Sequence, residues 1–217
     1  ALPICRAWCE GVSDYAARRA ERLDAAELSV TPAQLDRLAA YLELLSKWNR
    51  TINLTSFDLK RPSDGAIDRL IVESVCASQL IVREVLTSLD VGSGGGSPSL
   101  PLKIISPALF YTLVESRSRK CAFLREAVRV LELSDVRVEQ ARLEDVAQRP
   151  SARYSFDLVT MRAVRPDEKL WEALRALLKP GGRLLWFGAR DEAMPADSIV
   201  LEDRPVAMLL QMPGVSR

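Results

Sequence analysis

The chain has 217 residues, 48% of them apolar and 27% charged, with 30 Lys and Arg against 29 Asp and Glu, four cysteines and no histidine. That composition excludes disordered, collagen-like and disulfide-scaffold chains, and it suits one globular unit around a good core. The missing imidazole excludes Ser/His and Cys/His nucleophile pairs and histidine metal sites, and a net charge of +1 leaves any polyanion affinity to a local basic patch.

Cys5, Cys9, Cys76 and Cys121 match neither a paired zinc spacing nor a dense disulfide framework, so a reduced, cytoplasmic setting with no metal is expected. No apolar run reaches about 18 residues, and the first residues mix charges with small side chains where an export signal has an apolar block. No membrane association is expected.

Residues 13 to 85 read as helical. Asp14–Glu27 is a surface helix. Thr31-Pro32-Ala33-Gln34 combines an N-cap, a proline at the first helical position and a capping-box partner, and opens a helix with Leu35, Leu38, Leu42, Leu45 and Trp48 on one face, ending near Asn49. Ser63–Val85 is a second amphipathic stretch. From residue 87 short β-branched runs alternate with helical ones: strands at Ser88–Val91, Leu109–Val114, Val136–Glu139, Phe156–Thr160 and Arg183–Phe187, helices at Leu100–Ser106, Ser118–Leu133, Leu143–Arg149 and Asp167–Leu178. Such alternation builds a parallel sheet wound by right-handed crossovers. Lys179-Pro180-Gly181-Gly182 reads as a helix stop and a turn into the fifth strand, and Ser198–Glu202 with Val206–Gln211 as a closing antiparallel hairpin. The expectation is an α/β sheet, mostly parallel, with helices on both faces, in which residues 1–86 form a helical extension and residues 87–217 the core, together one compact unit.

Leu89-Asp90-Val91-Gly92-Ser93-Gly94-Gly95-Gly96 ends the first strand and opens a helix. Glycines there let the backbone turn tightly and approach a nucleotide-like ligand. With Gly92 and Gly94 aligned to the first two glycines of the dinucleotide fingerprint, Ser97 stands at the third, which argues against NAD or FAD. Glu115, ending the second strand 25 residues past Asp90, is an acid that can accept both ribose hydroxyls; the alternative is a solvated loop acid.

At these residues the chain resembles the class I S-adenosylmethionine-dependent methyltransferases. It resembles more closely the bacterial small-subunit (16S) ribosomal RNA guanine-N7 methyltransferases of the glucose-inhibited division protein B family. The likeness runs from about residue 32 to 187, through Leu44–Thr55 with its Trp48-Asn49…Asn53-Leu54-Thr55, the glycine loop with Leu100-Pro101-Leu102, Glu115–Lys120, Phe123-Leu124-Arg125, Phe156–Thr160 with Arg162-Ala163, and Leu178–Arg183. The resemblance implies that Asp90 and the Gly92–Gly96 backbone, Ser93 included, hold the methionine part of S-adenosylmethionine, Glu115 its ribose, and Leu143 and Glu144 its adenine. Glu144 equally suits a helix N-terminal acid.

Arg162, just past the fourth strand, is the catalytic candidate, a fork for phosphate or a guanine edge, with a surface salt bridge as the alternative. Arg117, Arg119, Lys120, Arg125 and Arg129 form a basic stripe that suits phosphate contacts or a solvated helix face. Asn53 and Thr55 suit either a substrate role or capping of the next segment. Guanine N7 already presents a lone pair, so the chemistry needs alignment more than a base. The implied enzyme acts on small-subunit ribosomal RNA or its particle, as a monomer; a small-molecule methyltransferase and a non-catalytic RNA-binding relative are the alternatives. The chain departs from the family at Leu70, where a histidine is usual, at Ser97 and Ser99, where an apolar residue and a glycine are usual, at Met161, and in the short 188–197 interval.

Overall fold

The computed structural model describes residues 30–81, 86–165, 167–188, 199–203 and 208–211. Asp14–Glu27, Cys5, Cys9 and the 189–198 connection lie outside them. Helix α1, Pro32–Asn49, opens as expected: the Thr31 hydroxyl accepts from the Gln34 N–H and the Gln34 side chain accepts from the Thr31 N–H. Its apolar stripe buries Leu38, Tyr41, Leu42 and Leu45, and Trp48 meets Phe123 edge-on at 5.9 Å. Asp64–Ile67, Asp68–Val72 and Glu73–Ala77 run on as one helix, α2, whose middle piece is a π-turn.

Then come β1 (Thr87–Val91), α3 (Ser99–Ile105), β2 (Phe110–Glu115), α4 (Ser118–Val130), β3 (Val136–Gln140), α5 (Leu143–Ala147), β4 (Phe156–Arg162), α6 (Glu168–Leu177), β5 (Leu178–Phe187), β6 (Ile199–Asp203) and β7 (Met208–Gln211). The sheet order is β3-β2-β1-β4-β5-β7-β6. The first five strands pair in parallel; β7 pairs antiparallel with β5 and β6, the expected closing hairpin.

Strand alternation divides the core. Leu89 and Val91 join Val159, Met161 and Trp186 under α5 and α6 on one face. On the other, α1 to α4 cover Tyr111, Leu113, Leu158, Leu185 and Phe187, so the N-terminal helices share one core with the sheet. Met161, a departure from the family, is fully buried on the first face, where an apolar residue belongs.

Lys179–Gly182 differs from its reading as a turn before β5. Phe156 pairs with Leu178 and Leu158 with Arg183, so these four residues bulge out opposite Asp157 inside β5. Gly181 there takes φ +78°, and a Cβ on Gly182 would lie 2.8 Å from the Lys179 carbonyl oxygen. The Lys179 ammonium and the Thr87 N–H and hydroxyl all meet the Asp157 carboxylate, which fastens the bulge to β1.

After α1 the chain turns back on Asn49, whose Oδ1 accepts from the Leu54 and Thr55 N–H groups at 2.9 and 3.0 Å while Nδ2 donates to the Thr55 carbonyl. Asn49→Ala should cost about 2 kcal/mol, since three backbone groups lose their partner, and lower Tm by roughly 4–8 °C for a chain of this size. Asn49→Asp, which keeps both accepted bonds, should recover more than half in the same thermal melt.

Candidate active site

The order of the strands reverses between β1 and β4, and the crevice at their C-terminal ends is where open α/β sheets bind ligands. A cleft of about 270 Å³ lies there, and Gly92, Glu115, Leu143 and Glu144 are among its lining residues, as are Arg165 and Asp167. Four of the expected cofactor residues thus meet in one cavity. Asp90, Ser93, Gly94 and Gly96, in the strand end and loop beside it, are not among its lining residues, and neither is Arg162.

The loop is tied down on every side. Gly92, Gly94 and Gly96 have positive φ. At Gly96, with φ +84°, an added Cβ would stand 2.4 Å from Leu100 Cδ1, so a side chain there is strained and would displace Leu100. The Ser93 N–H donates to the Val114 carbonyl, and the buried Ser93 hydroxyl turns inward to the Asp90 carbonyl. The Gly94 N–H donates to Glu115 Oε2 at 3.0 Å, the Tyr41 hydroxyl donates to the Gly95 carbonyl at 2.7 Å, and the Ser97 hydroxyl donates to the Leu70 carbonyl. Glu115 Oε1 accepts from the Arg117 N–H, so one carboxylate spans the glycine loop and the start of α4.

Asp90 is 1% exposed. Oδ1 accepts from the Thr160 hydroxyl at 2.6 Å and Oδ2 from the Ser99 hydroxyl at 3.0 Å, which joins β1, β4 and α3 beneath the loop. Burial pushes its carboxyl up to about 6, against the lowering by those hydroxyls and the Arg162 charge.

Arg162 is also inside: its side chain is 8% exposed, so its ion pair is not the surface salt bridge of the alternative reading. Nη1 donates to Glu73 Oε2 at 2.5 Å, and the guanidinium lies over the Phe187 ring, 4.3 Å from its centroid. Nε and Nη2 are buried without a hydrogen-bond partner among the described residues. Burial pushes the guanidinium below its ordinary range, with Glu73 opposing.

Of the RNA candidates, Asn53, Arg117, Arg119 and Arg125 are exposed and Lys120 is half-buried. Two segments border the glycine loop: Lys120 Nζ lies 3.8 Å from where a Gly94 Cβ would be, and Leu54, next to Asn53, sets its carbonyl 3.2 Å from the corresponding point on Gly95. Thr55 accepts from the Phe57 N–H and so caps the next turn, while Arg129 is paired with Glu126 within α4. Sequence reasoning missed Tyr41, Glu73 and Thr160. Tyr41 falls on the apolar stripe of α1 and was open to notice; Glu73 and Thr160 meet their partners only through the fold.

Asp90 titrates differently folded and unfolded, with a sign that can be worked out. Its folded value, about 6, lies above the ordinary 3.8, so the stability it adds is full below about pH 4 and is lost as pH rises through 6. Asp90→Asn removes that dependence. The unfolding free energy of the variant minus that of the parent should therefore rise by roughly 2 kcal/mol between pH 4 and 7. A flat difference across denaturant titrations would mean that Asp90 stays ionised.

The family model described as GidB, rRNA small subunit methyltransferase G, matches residues 34–202. The chain is 38% identical over 176 residues to the ribosomal RNA small subunit methyltransferase G of Chloroflexus aggregans, covering 81% of this chain and 71% of that one. To the protein of the same name from Bacillus pumilus it is 37% identical, over 78% and 71%. Among solved structures it resembles a SAM dependent methyltransferase from Aquifex aeolicus (TM-score 0.52, 17% identity, 69% of this chain and 94% of that one) and TrmN from Thermus thermophilus (TM-score 0.50, 18% identity, 70% and 53%). At such identities these structures speak for the fold alone, that of the class I methyltransferases. Sequence and fold together make this chain a member of the GidB family, rRNA small subunit methyltransferase G.

Proposed function

We propose that the chain transfers the methyl group of S-adenosylmethionine to N7 of a guanine in small-subunit ribosomal RNA, as a monomer in the cytoplasm. The observation that carries the cofactor half is the free edge of Arg162. Nε–H and Nη2–H point the same way from the planar guanidinium, so with Nη1 on Glu73 the remaining edge is a two-donor fork suited to a carboxylate. The amino-acid end of the cofactor has that group. On this reading Arg162 meets the cofactor in place of RNA, since gripping guanine at O6 and N7 would occupy the lone pair that attacks.

The other cofactor residues suit its remaining parts. The Gly92–Gly96 backbone would flank the methionine portion, with Asp90 and Ser93 holding that loop from beneath. Glu115 keeps lone pairs beyond the two N–H groups it accepts, enough for the ribose hydroxyls. Leu143 offers the adenine an apolar face and Glu144 an acceptor for its amine. When bound, the cofactor supplies a methyl group activated on a sulfonium. The chain then has to orient the guanine and exclude water, which accords with the missing histidine. Asn53, Arg117, Arg119, Lys120 and Arg125 are the proposed RNA contacts beside the loop.

The direct test is methyl transfer from labelled cofactor to small-subunit particles and free rRNA lacking the modification, with the modified base then mapped; no incorporation into either would end the reading. Glu115→Ala should weaken cofactor binding by about 1–3 kcal/mol in calorimetry. A double change of Arg119 and Lys120 to Ala should leave cofactor affinity intact, weaken rRNA binding and flatten its salt dependence by at most about one log–log unit per lost contact. Parental rRNA affinity and slope would return the stripe to ordinary surface.

A further inference from the structure

Glu73 lies in α2, directly after the π-turn Asp68–Val72, on a helix that belongs to the N-terminal part of the chain. Its Oε2 accepts from Arg69 Nη1 at 2.9 Å and from Arg162 Nη1 at 2.5 Å, across 89 residues of sequence in the second case. Two guanidinium groups thus share one carboxylate oxygen, and the cluster carries one positive charge in excess. Arg69 is the more exposed partner, with a side chain 37% accessible; Glu73 and Arg162 are at 17% and 8%.

Such an arrangement costs free energy unless something uses it. Unpaired buried donors are unfavourable, and a π-turn in an otherwise regular helix is a further local irregularity of the kind found at functional sites. The geometry around Arg162 shows what is fixed. The guanidinium lies over the Phe187 ring, and the bond to Glu73 ties down Nη1. Together they leave one long edge, Nε and Nη2, with no partner among the described residues.

We infer that Glu73 is a positioning residue: by holding Nη1 it turns the Nε/Nη2 edge of Arg162 toward the carboxylate of the bound cofactor, so that α2 as well as the sheet determines cofactor affinity. The inference rests on the cofactor reading above and deepens it. A four-torsion side chain without this hold would lose its orientation on each release of ligand and have to regain it on binding. Arg69 holds the Glu73 carboxylate from its more exposed side.

The test compares two probes on the full chain by titration calorimetry: S-adenosylhomocysteine, and 5′-methylthioadenosine, which has the same nucleoside and thioether sulfur but no amino-acid end. Glu73→Gln should weaken S-adenosylhomocysteine about tenfold while moving methylthioadenosine by less than about twofold. Glu73→Asp keeps the charge and shortens the reach. It should fold like the parent and lose part of the S-adenosylhomocysteine affinity only. Equal losses for both probes in both variants would make the pair a purely structural tie and overturn the inference, as would no change for either. Arg162→Gln separates the two levels. If it abolishes the preference for the amino-acid end and Glu73→Gln does not, the positioning role falls and the carboxylate reading stands; if Arg162→Gln keeps that preference, the carboxylate reading fails and the inference with it.

Discussion

The site depends on a backbone loop that is not free to move. Between Gly92 and Ser97 the chain is gripped by α1 through Tyr41, by α2 through the Leu70 carbonyl, by β2 through Val114 and Glu115, and from below by Ser99 on Asp90. Positive φ at three glycines makes the shape possible, but these contacts select it from the many that glycines allow. A loop fixed before the ligand arrives loses less entropy on binding. The N-terminal helices therefore help to set the shape of the glycine loop. They share a core with the sheet, and two of them bond directly to the loop.

Beneath and beside this loop, buried charge is arranged unevenly. Asp90 is a carboxylate whose two oxygens are satisfied by neutral hydroxyls, so burial raises its pKa and its contribution is mechanical. Arg162 has one arm paired and one edge open. The contrast decides roles more clearly than residue type does. A group with all its bonding capacity used inside the protein has little left for a ligand, and one with two aligned donors left over can still take an acceptor.

The order of strands and helices was legible because each signal was local: the Thr31–Gln34 capping box, the short apolar runs of β1 and β4, and the apolar stripe of α1. The glycine loop and Glu115 were legible for the same reason, as features of strand ends. Whether a charged side chain is buried was not. Arg162 reads from sequence like any arginine after a strand, and its depth follows from Phe187 and Glu73, neither of them close in sequence. Lys179–Gly182 was read as punctuation because Pro-Gly-Gly breaks helices; that it bulges within a strand follows from the hold of Asp157, which only the sheet register reveals. Lys103 is the same lesson: an amphipathic helix position in sequence, yet 2% exposed, with its ammonium closing the Pro107 and Leu109 carbonyls.

Three of the positions read from the sequence as departures from the family pattern turn out to be neighbours. Ser97 donates to the carbonyl of Leu70, and Ser99, two residues on, donates to Asp90. Leu70 itself is buried in the core that α2 shares with the sheet. A histidine at 70 brings a polar ring that needs partners, and an apolar residue at 97 brings none; in this chain the apolar side chain is at 70 and the hydroxyl at 97, with the bond made to a backbone oxygen that every residue type has. Ser99 adds a donor to a carboxylate that burial would otherwise drive further toward its neutral form. Each change is satisfied by a group already present, and all act on the loop's supports, away from the cleft lined by Glu115, Leu143 and Glu144. In this chain the loop is held through Ser97, Ser99 and the Leu70 carbonyl, none of which lines the cleft.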